Sequence, residues 1–462
     1  MAKRDDGRSA QAEDPALEPA GAEAPHAHRA LLAAVLAVVV AVSAGIFVGA
    51  SGSGDQGQAP VSAPRPSRGA VAPAAAGSWV STWAAAPTGP EPGTEPVGLA
   101  NSSVRNVVHT SVGGTGARIT LSNLYGQTPL TVTSATLALS ASPGGASAVP
   151  GTMRGLTFDG RRSVVIPAGD QAVSDAVRMR VPTASDLLVS TYTPAAAGPV
   201  TYHVHARQVS YQAAGDMTAD PGGAAYGRRV VSWRYLTAVD VLTSEAVGTV
   251  VAFGDSLTDG ITSSTGANHR WTDGFAQRLD GGAAAQRFAV VNEGISGNRL
   301  LTDGGGRPAA NPSGLSRFQR DALARTGVKT VVVELGVNDV LHDPRRPSAA
   351  AIVAALRTLT REAHAHGVRV VGATLTPFGG HRGADPAAEA VRAQVNAAIR
   401  GGGVFDAVAD FDRALRDPAA PSRLRPAFDS GDHLHPNDSG YAAMANALDP
   451  RTLRGTGAAA AL

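Results

Sequence analysis

The rhythm of hydrophobic and polar positions changes near Val247 of this 462-residue chain. From Ser78 to about Ala246, apolar residues alternate with polar ones in short runs. ARITLSNLYG, LTVTSATLALS, SVVIPAG, DLLVSTYTP and VTYHVHARQVSY are the clearest, each bounded by Gly, Pro, Asn or Asp. A period of two sets one face of a strand on a core and the other in water, so an all-β domain is expected over residues 78–246. Beyond Val247 the strands become nearly unbroken apolar runs. VGTVVAF, RFAVVNEG, VKTVVVELG, VRVVGATL and FDAVADF read as five of them. Helical patterns separate them at Trp271–Leu279, at Leu315–Arg325, over 349–367 behind a Ser348 cap, and at Pro386–Arg400. A last helix runs from an Asn437 cap through Leu448. Apolar strands alternating with helices predict an α/β domain over residues 247–455, with a parallel sheet covered on both faces.

The pattern upstream of Ser78 is different again. Ala30–Ala50 is an uncharged apolar run long enough to cross a bilayer as a helix. Lys3, Arg4, Arg8 and Arg29 precede it, which predicts a cytoplasmic tail over residues 1–29 and export of the remainder. Val48-Gly49-Ala50 would also suit cleavage of a signal peptide, leaving a secreted protein. The length of the run and the long, partly acidic tail favour a single-pass membrane anchor. Residues 51–77 are Gly, Ser, Pro and Ala with few large side chains, the composition of a linker.

Composition narrows the function classes. Hydrophobic residues make up 43% and charged residues 17%, as in an ordinary globular protein. A net charge of +2, without a basic stripe interleaved with aromatics, argues against a nucleic-acid partner. Cysteine is absent, which excludes disulfides, thiolate metal sites and cysteine nucleophiles. In the β-rich part, His203 and His205 share one strand face and could ligate a metal. No third ligand stands at a recognisable spacing, so an ordinary exposed strand face is expected, with no metal. Trp79, Trp83, Tyr202 and Tyr211 could stack on a sugar, but half-buried core aromatics are the plainer expectation.

Candidate chemistry collects where the parallel strands end, the place where sites form in such sheets. The first strand runs straight into Gly254-Asp255-Ser256. The second meets Asn292-Glu293-Gly294-Ile295-Ser296-Gly297-Asn298, and the third Gly336-Val337-Asn338-Asp339. Asp432-His433-Leu434-His435 lies after the fifth strand and before the last helix. Singly, these are turns, caps and polar loops. Together they supply a serine hydroxyl, a base for its proton, and a carboxylate to orient the base. Ser256 is the expected nucleophile, His435 the base and Asp432 its partner. Attack on an ester carbonyl makes an oxyanion, for which Ser256 N–H, Gly297 N–H and the Asn338 amide are the expected donors. His433 competes with His435, Asp429 or Asp438 with Asp432, and Gly294 with Gly297. Asp255 is expected to cap the following helix, and Asp339 to be structural. No G-x-S-x-G is present, so this is not the α/β-hydrolase elbow.

These four blocks resemble the SGNH, or GDSL, hydrolase family over residues 247 to about 448. Gly254-Asp255-Ser256-Leu257, the Gly297 turn, Gly336-x-Asn338-Asp339 and Asp432-x-x-His435 carry the resemblance. It implies a flavodoxin-like three-layer α/β/α domain and esterase or lipase activity without a cofactor. The β domain with its WVSTWAAAP start resembles the N-terminal part of some secreted actinobacterial members. The leading expectation is an extracytoplasmic serine esterase, monomeric, acting on an acylated sugar, lipid or small alcohol. A non-catalytic wall- or glycan-binding protein, and an acyltransferase using the same acyl-enzyme, are the alternatives.

Overall fold

In the β-rich part the chain folds into two main antiparallel sheets around a shared core. One sheet contains Ser78–Ala84, Leu236–Thr243 and Gly114–Ser122, with Gln171–Val173 and Val177–Val181 also paired to Gly114–Ser122. The other is six-stranded and centres on Ser102–His109 and Asp186–Thr193. Ile119 and Val239 from the first sheet join Val104, Leu137 and Val189 from the second in one buried cluster. The run VTYHVHARQVSY, expected as a single strand, is broken. Tyr202–His203 pairs with Trp233–Arg234, and Ser210–Ala214 belongs to the six-stranded sheet.

This computed structural model describes residues 77–95, 97–281, 287–304 and 311–454. The anchor expected at Ala30–Ala50, and all of the expected linker except Gly77, lie outside the described residues. Among the described residues no helix is long and apolar enough to cross a membrane. The two folded parts belong to one compact unit, Ala72–Leu462. Only Ser244 and Glu245 separate the last antiparallel strand, Leu236–Thr243, from the first parallel one, β1 (Ala246–Gly254).

The parallel sheet adds β2 (Arg287–Gly294), β3 (Val328–Glu334), β4 (Arg369–Ala373) and β5 (Ala407–Ala409), in the order β2-β1-β3-β4-β5. All four pairings are parallel. This is the doubly wound order 2-1-3-4-5, whose switch point lies beside the first strand. Val250 to Gly254 are all buried, because helices cover both faces. One group of helices includes α2 (Trp271–Asp280), α7 (Phe411–Leu415) and α8 (Asp438–Ala447). The other includes α3 (Gly314–Phe318), α5 (Ala349–Ala365) and α6 (Pro386–Arg400). The short α1 (Ser256–Asp259) and α4 (Val337–His342) follow β1 and β3 directly. Ser348 caps α5 by accepting from Ala351 N–H, and the helix buries Ile352, Leu356 and Leu359 on one stripe. Each such side chain contributes about 1.5–3 kcal/mol.

Two elements differ from the pattern. The fifth strand shrinks to three residues because Asp410 caps a new helix at Phe411. The expected helix at Leu315–Arg325 opens into a π turn over Gln319–Leu323. Arg317, at its start, is wholly buried and reaches back into the sheet. Its guanidinium donates to Gly254 O at 2.7 Å and Glu293 O at 2.8 Å, tying together the ends of β1 and β2. In register, Gly254 lies opposite Gly294 on one side and Glu334 on the other. The sheet therefore delivers the first three polar blocks to one edge.

Candidate active site

The turn after β1 admits little variation. A Cβ on Gly254 would lie 2.1 Å from Thr258 Oγ1 and 2.8 Å from Glu334 O, so only glycine fits. Asp255 caps α1 by accepting from Leu257 N–H at 3.1 Å. Ser256 is the first residue of that single helical turn and is 5% exposed. Its N–H donates to no acceptor among the described residues.

The loop before α8 brings the base to it. Asp432 Oδ1 accepts from the N–H groups of Leu434 at 3.0 Å and His435 at 2.8 Å. Its Oδ2 lies 2.5 Å from His435 Nδ1, and His435 Nε2 lies 2.9 Å from Ser256 Oγ. One carboxylate thus folds the loop and fixes the ring. Facing that carboxylate, Nδ1 carries the proton, which leaves Nε2 as acceptor toward the hydroxyl. Partial burial opposes the ionised form of Asp432, but the bonds from His435 and Leu434 hold its pKa well below the carboxylate range. His433 points elsewhere, with Nδ1 2.6 Å from Asp429 Oδ2. Asp438 pairs with His269 at 2.8 Å. Of the competing residues, only His435 meets Ser256, with Asp432 behind its ring.

Residues 252–443 match the GDSL-like lipase/acylhydrolase family. This domain belongs to that family. The protein is an ester-hydrolysing enzyme. Among solved structures, the chain is similar to an acetylxylan esterase from Geobacillus stearothermophilus, at 20% identity over 45% of this chain and 94% of that one, with a TM-score of 0.34. It is also similar to a GDSL-like lipase from Bacteroides thetaiotaomicron, at 18% identity over 44% of this chain and 88% of that one, with a TM-score of 0.32. A comparison with curated proteins gives no match.

On the other side of Ser256 the GDSL domain assembles its polar loops. Asn298 N–H closes a turn onto Ile295 O at 3.0 Å, with Gly297 at φ +74°. A positive φ at the third position is the type II signature and favours glycine. Gly297 N–H has no acceptor among the described residues, whereas Gly294 N–H is taken by Asn292 Oδ1 at 2.9 Å. Gly294 instead permits close packing: a Cβ there would lie 2.2 Å from Asp259 N. Asn338 lines the cleft but does not cap α4, whose N-cap is Gly336 without a side-chain bond. Its Oδ1 faces His342 Nδ1 at 3.0 Å. Its amide N–H groups donate to Asp255 Oδ2 and Asn298 O, both at 3.1 Å.

Beneath this layer lie carboxyl groups that no water reaches. Burial pushes Asp255 up to about 7 despite the Leu257 N–H. Glu334 is driven well above its usual range, by burial first and then by the charge of Asp255. Glu334 therefore keeps the proton of the pair. Burial also raises Asp339 to about 6, while Leu300 and Leu301 N–H donate to it at 2.7 and 2.9 Å. The cleft above encloses about 730 Å³ and is lined by Ser256, Gly297, Asn338 and His435. Ile261 and Leu434 supply apolar wall, and His205 comes from the β-rich part.

The expectation of an exposed strand face for His203 is wrong. Its two-residue strand ends there, and the ring tucks 5.5 Å from Trp233, leaving His203 4% exposed. Nδ1 lies 2.7 Å from Ala86 O and Nε2 3.1 Å from Asp259 Oδ1. Among the described residues no group of three or more His, Asp or Glu could hold a metal. The aromatics form no sugar platform. Trp83 packs edge-on against buried Trp233 at 4.9 Å, Tyr211 is buried, and Arg118 covers Trp79. Sequence reasoning missed His203, Asp259, Arg317 and Glu334 as parts of the site. The one visible signal was a pair of acidic residues, Asp255 and Asp259, inside an otherwise apolar segment.

Proposed function

We propose that the protein is a serine esterase that cleaves carboxylic esters through an acyl-enzyme on Ser256. The observation that carries this reading is the Ser256–His435–Asp432 chain, at 2.9 and 2.5 Å. His435 Nε2 takes the hydroxyl proton as Oγ attacks the carbonyl, and returns it to the departing alcohol. The imidazolium formed in that step is stabilised by the ionised Asp432. Water then follows the same route in reverse to release the acid. Ser256 N–H, Gly297 N–H and the Asn338 amide are the proposed oxyanion donors. The cleft volume suits a small acyl group together with part of its alcohol. Export of the catalytic part, anchored or cleaved, is inferred from the run at Ala30–Ala50 and the basic residues before it.

The test is hydrolysis of a short-chain aryl ester by native protein and by Ser256→Ala and His435→Ala. Both variants should fall to the small residual left by binding and the oxyanion donors. Trapping of an acyl group on Ser256, seen by intact mass, should vanish in Ser256→Ala. Native-like turnover by a folded Ser256→Ala would sink the reading.

A further inference from the structure

The β-rich part reaches into the site through one buried chain of contacts. His203 Nδ1 faces a backbone carbonyl, which only accepts, so that nitrogen carries a hydrogen. Nε2 faces Asp259. Burial pushes the Asp259 pKa up, but the His203 charge and the bonds from His203 and Ser296 hold it below its usual range. Asp259 Oδ2 in turn accepts from Ser296 N–H at 3.0 Å and Ser296 Oγ at 2.5 Å. His203, Asp259 and Ser296 are 4%, 2% and 3% exposed, so water does not compete for these bonds. Asp259 stands three residues after Ser256 on the same helical turn, and Ser296 directly precedes Gly297. This chain of contacts therefore spans the nucleophile turn and the Gly297 turn, and sets one against the other.

We propose that His203 is a positioning residue of the active site: through Asp259 and Ser296 it holds the Gly297 N–H where the oxyanion forms. The β-rich part is then a component of the catalytic apparatus, not a separable binding module. This rests on the reading of Ser256 and Gly297 given above. A shift of the donor by about 1 Å costs about 100-fold in rate. It does so without loosening the substrate, because the oxyanion exists only in the transition state.

The experiment measures kcat and KM for the full chain on a short-chain aryl ester. His203→Phe keeps the ring against Trp233 and removes both polar contacts. Its kcat should fall about 100-fold, with KM within about threefold of native. Ser296→Ala should also lower kcat, and adding it to His203→Phe should cost little more, because the two act through one loop. His203→Gln, which can still donate to Asp259, should recover much of the loss. If His203→Phe does not fold, His203→Phe with Asp259→Asn, which leaves no unpartnered buried carboxylate, takes its place with the same expectation. A kcat within about threefold of native, a KM effect alone, or additive losses with Ser296→Ala would overturn the proposal. Ser256→Ala in the same assay separates the two readings. If it stays active, the site itself is misassigned. If it is dead while His203→Phe turns over normally, only the role of His203 fails.

Discussion

Asn338→Ala is the perturbation that best separates an oxyanion donor from a scaffold residue. The Asn338 carbonyl is fixed by His342, so its NH2 points at Asp255 and Asn298. Both contacts are 3.1 Å, at the long end of the ordinary N–H···O range of about 2.7–3.2 Å, so either N–H can lean toward a new anion above Ser256. Loss of one such donor should lower kcat by about 100- to 1000-fold, or about 2.7–4 kcal/mol, with KM nearly unchanged. A second effect comes from Asp255, which is fully buried and loses one of its donors. That should cost about 1–3 kcal/mol of stability, read as a lowered melting temperature. Asn338→Asp should be worse on both counts, because it puts a third carboxyl beside Asp255 and Glu334. The assay is kcat, KM and a melting curve on the same preparation. A kcat within about threefold of native, together with a lowered melting temperature, would show that Asn338 only supports Asp255.

Three further outcomes are expected. His435→Ala should abolish turnover while His433→Ala keeps most of it, since only His435 reaches Ser256; the reverse pattern in the same ester assay would overturn the assignment. Gly297→Ala forces a side chain to φ +74° and should lower kcat with a modest stability loss, whereas Gly294→Ala drives a Cβ into Asp259 N and should damage the fold itself. Comparing the two melting curves checks this. Asp339 holds its proton to about pH 6 when folded and, unfolded, only to its ordinary value of 3.8. Between those limits the folded state binds more protons, so raising the pH through that window removes up to about 3 kcal/mol. Asp339→Asn should flatten that part of the stability–pH curve; an unchanged slope would refute the shift.

The parallel sheet was legible because its strands are buried on both faces and so read as continuous apolar runs. The ends of elements were less so. Asp410 is an apparent strand residue whose side chain instead accepts from Arg413 N–H and starts a helix. Arg317 lies in a good helical pattern, yet its wish to satisfy two strand carbonyls coincides with a switch to π geometry. Local propensity has no term for either choice. In the β-rich part, VTYHVHARQVSY alternates well enough to pass for one strand, but its halves pair with different partners. Pairing is a long-range decision that a period of two does not record.

The chemistry at the strand ends was legible for a different reason: Ser, His and Asp have few jobs in common. Which His and which Asp meet is decided by the loop, where Asp432 binds the N–H groups of Leu434 and His435 and so aims the second ring rather than the first. The link to the β-rich part left no comparable trace. His203 and Asp259 are 56 positions apart and fall in segments of opposite rhythm. A histidine on an exposed strand and one buried against a carboxylate are the same letter. What the segment Val250–Gly260 does carry is two carboxylates with no cationic residue among them. A carboxylate taken out of water must keep a proton or find a positive partner. The Asp255–Glu334 pair takes the first course, with Glu334 keeping the proton, and Asp259 turns to His203. Buried charge in one segment thus requires an answer from another, and here the answer comes from the part of the chain that carries no motif of its own.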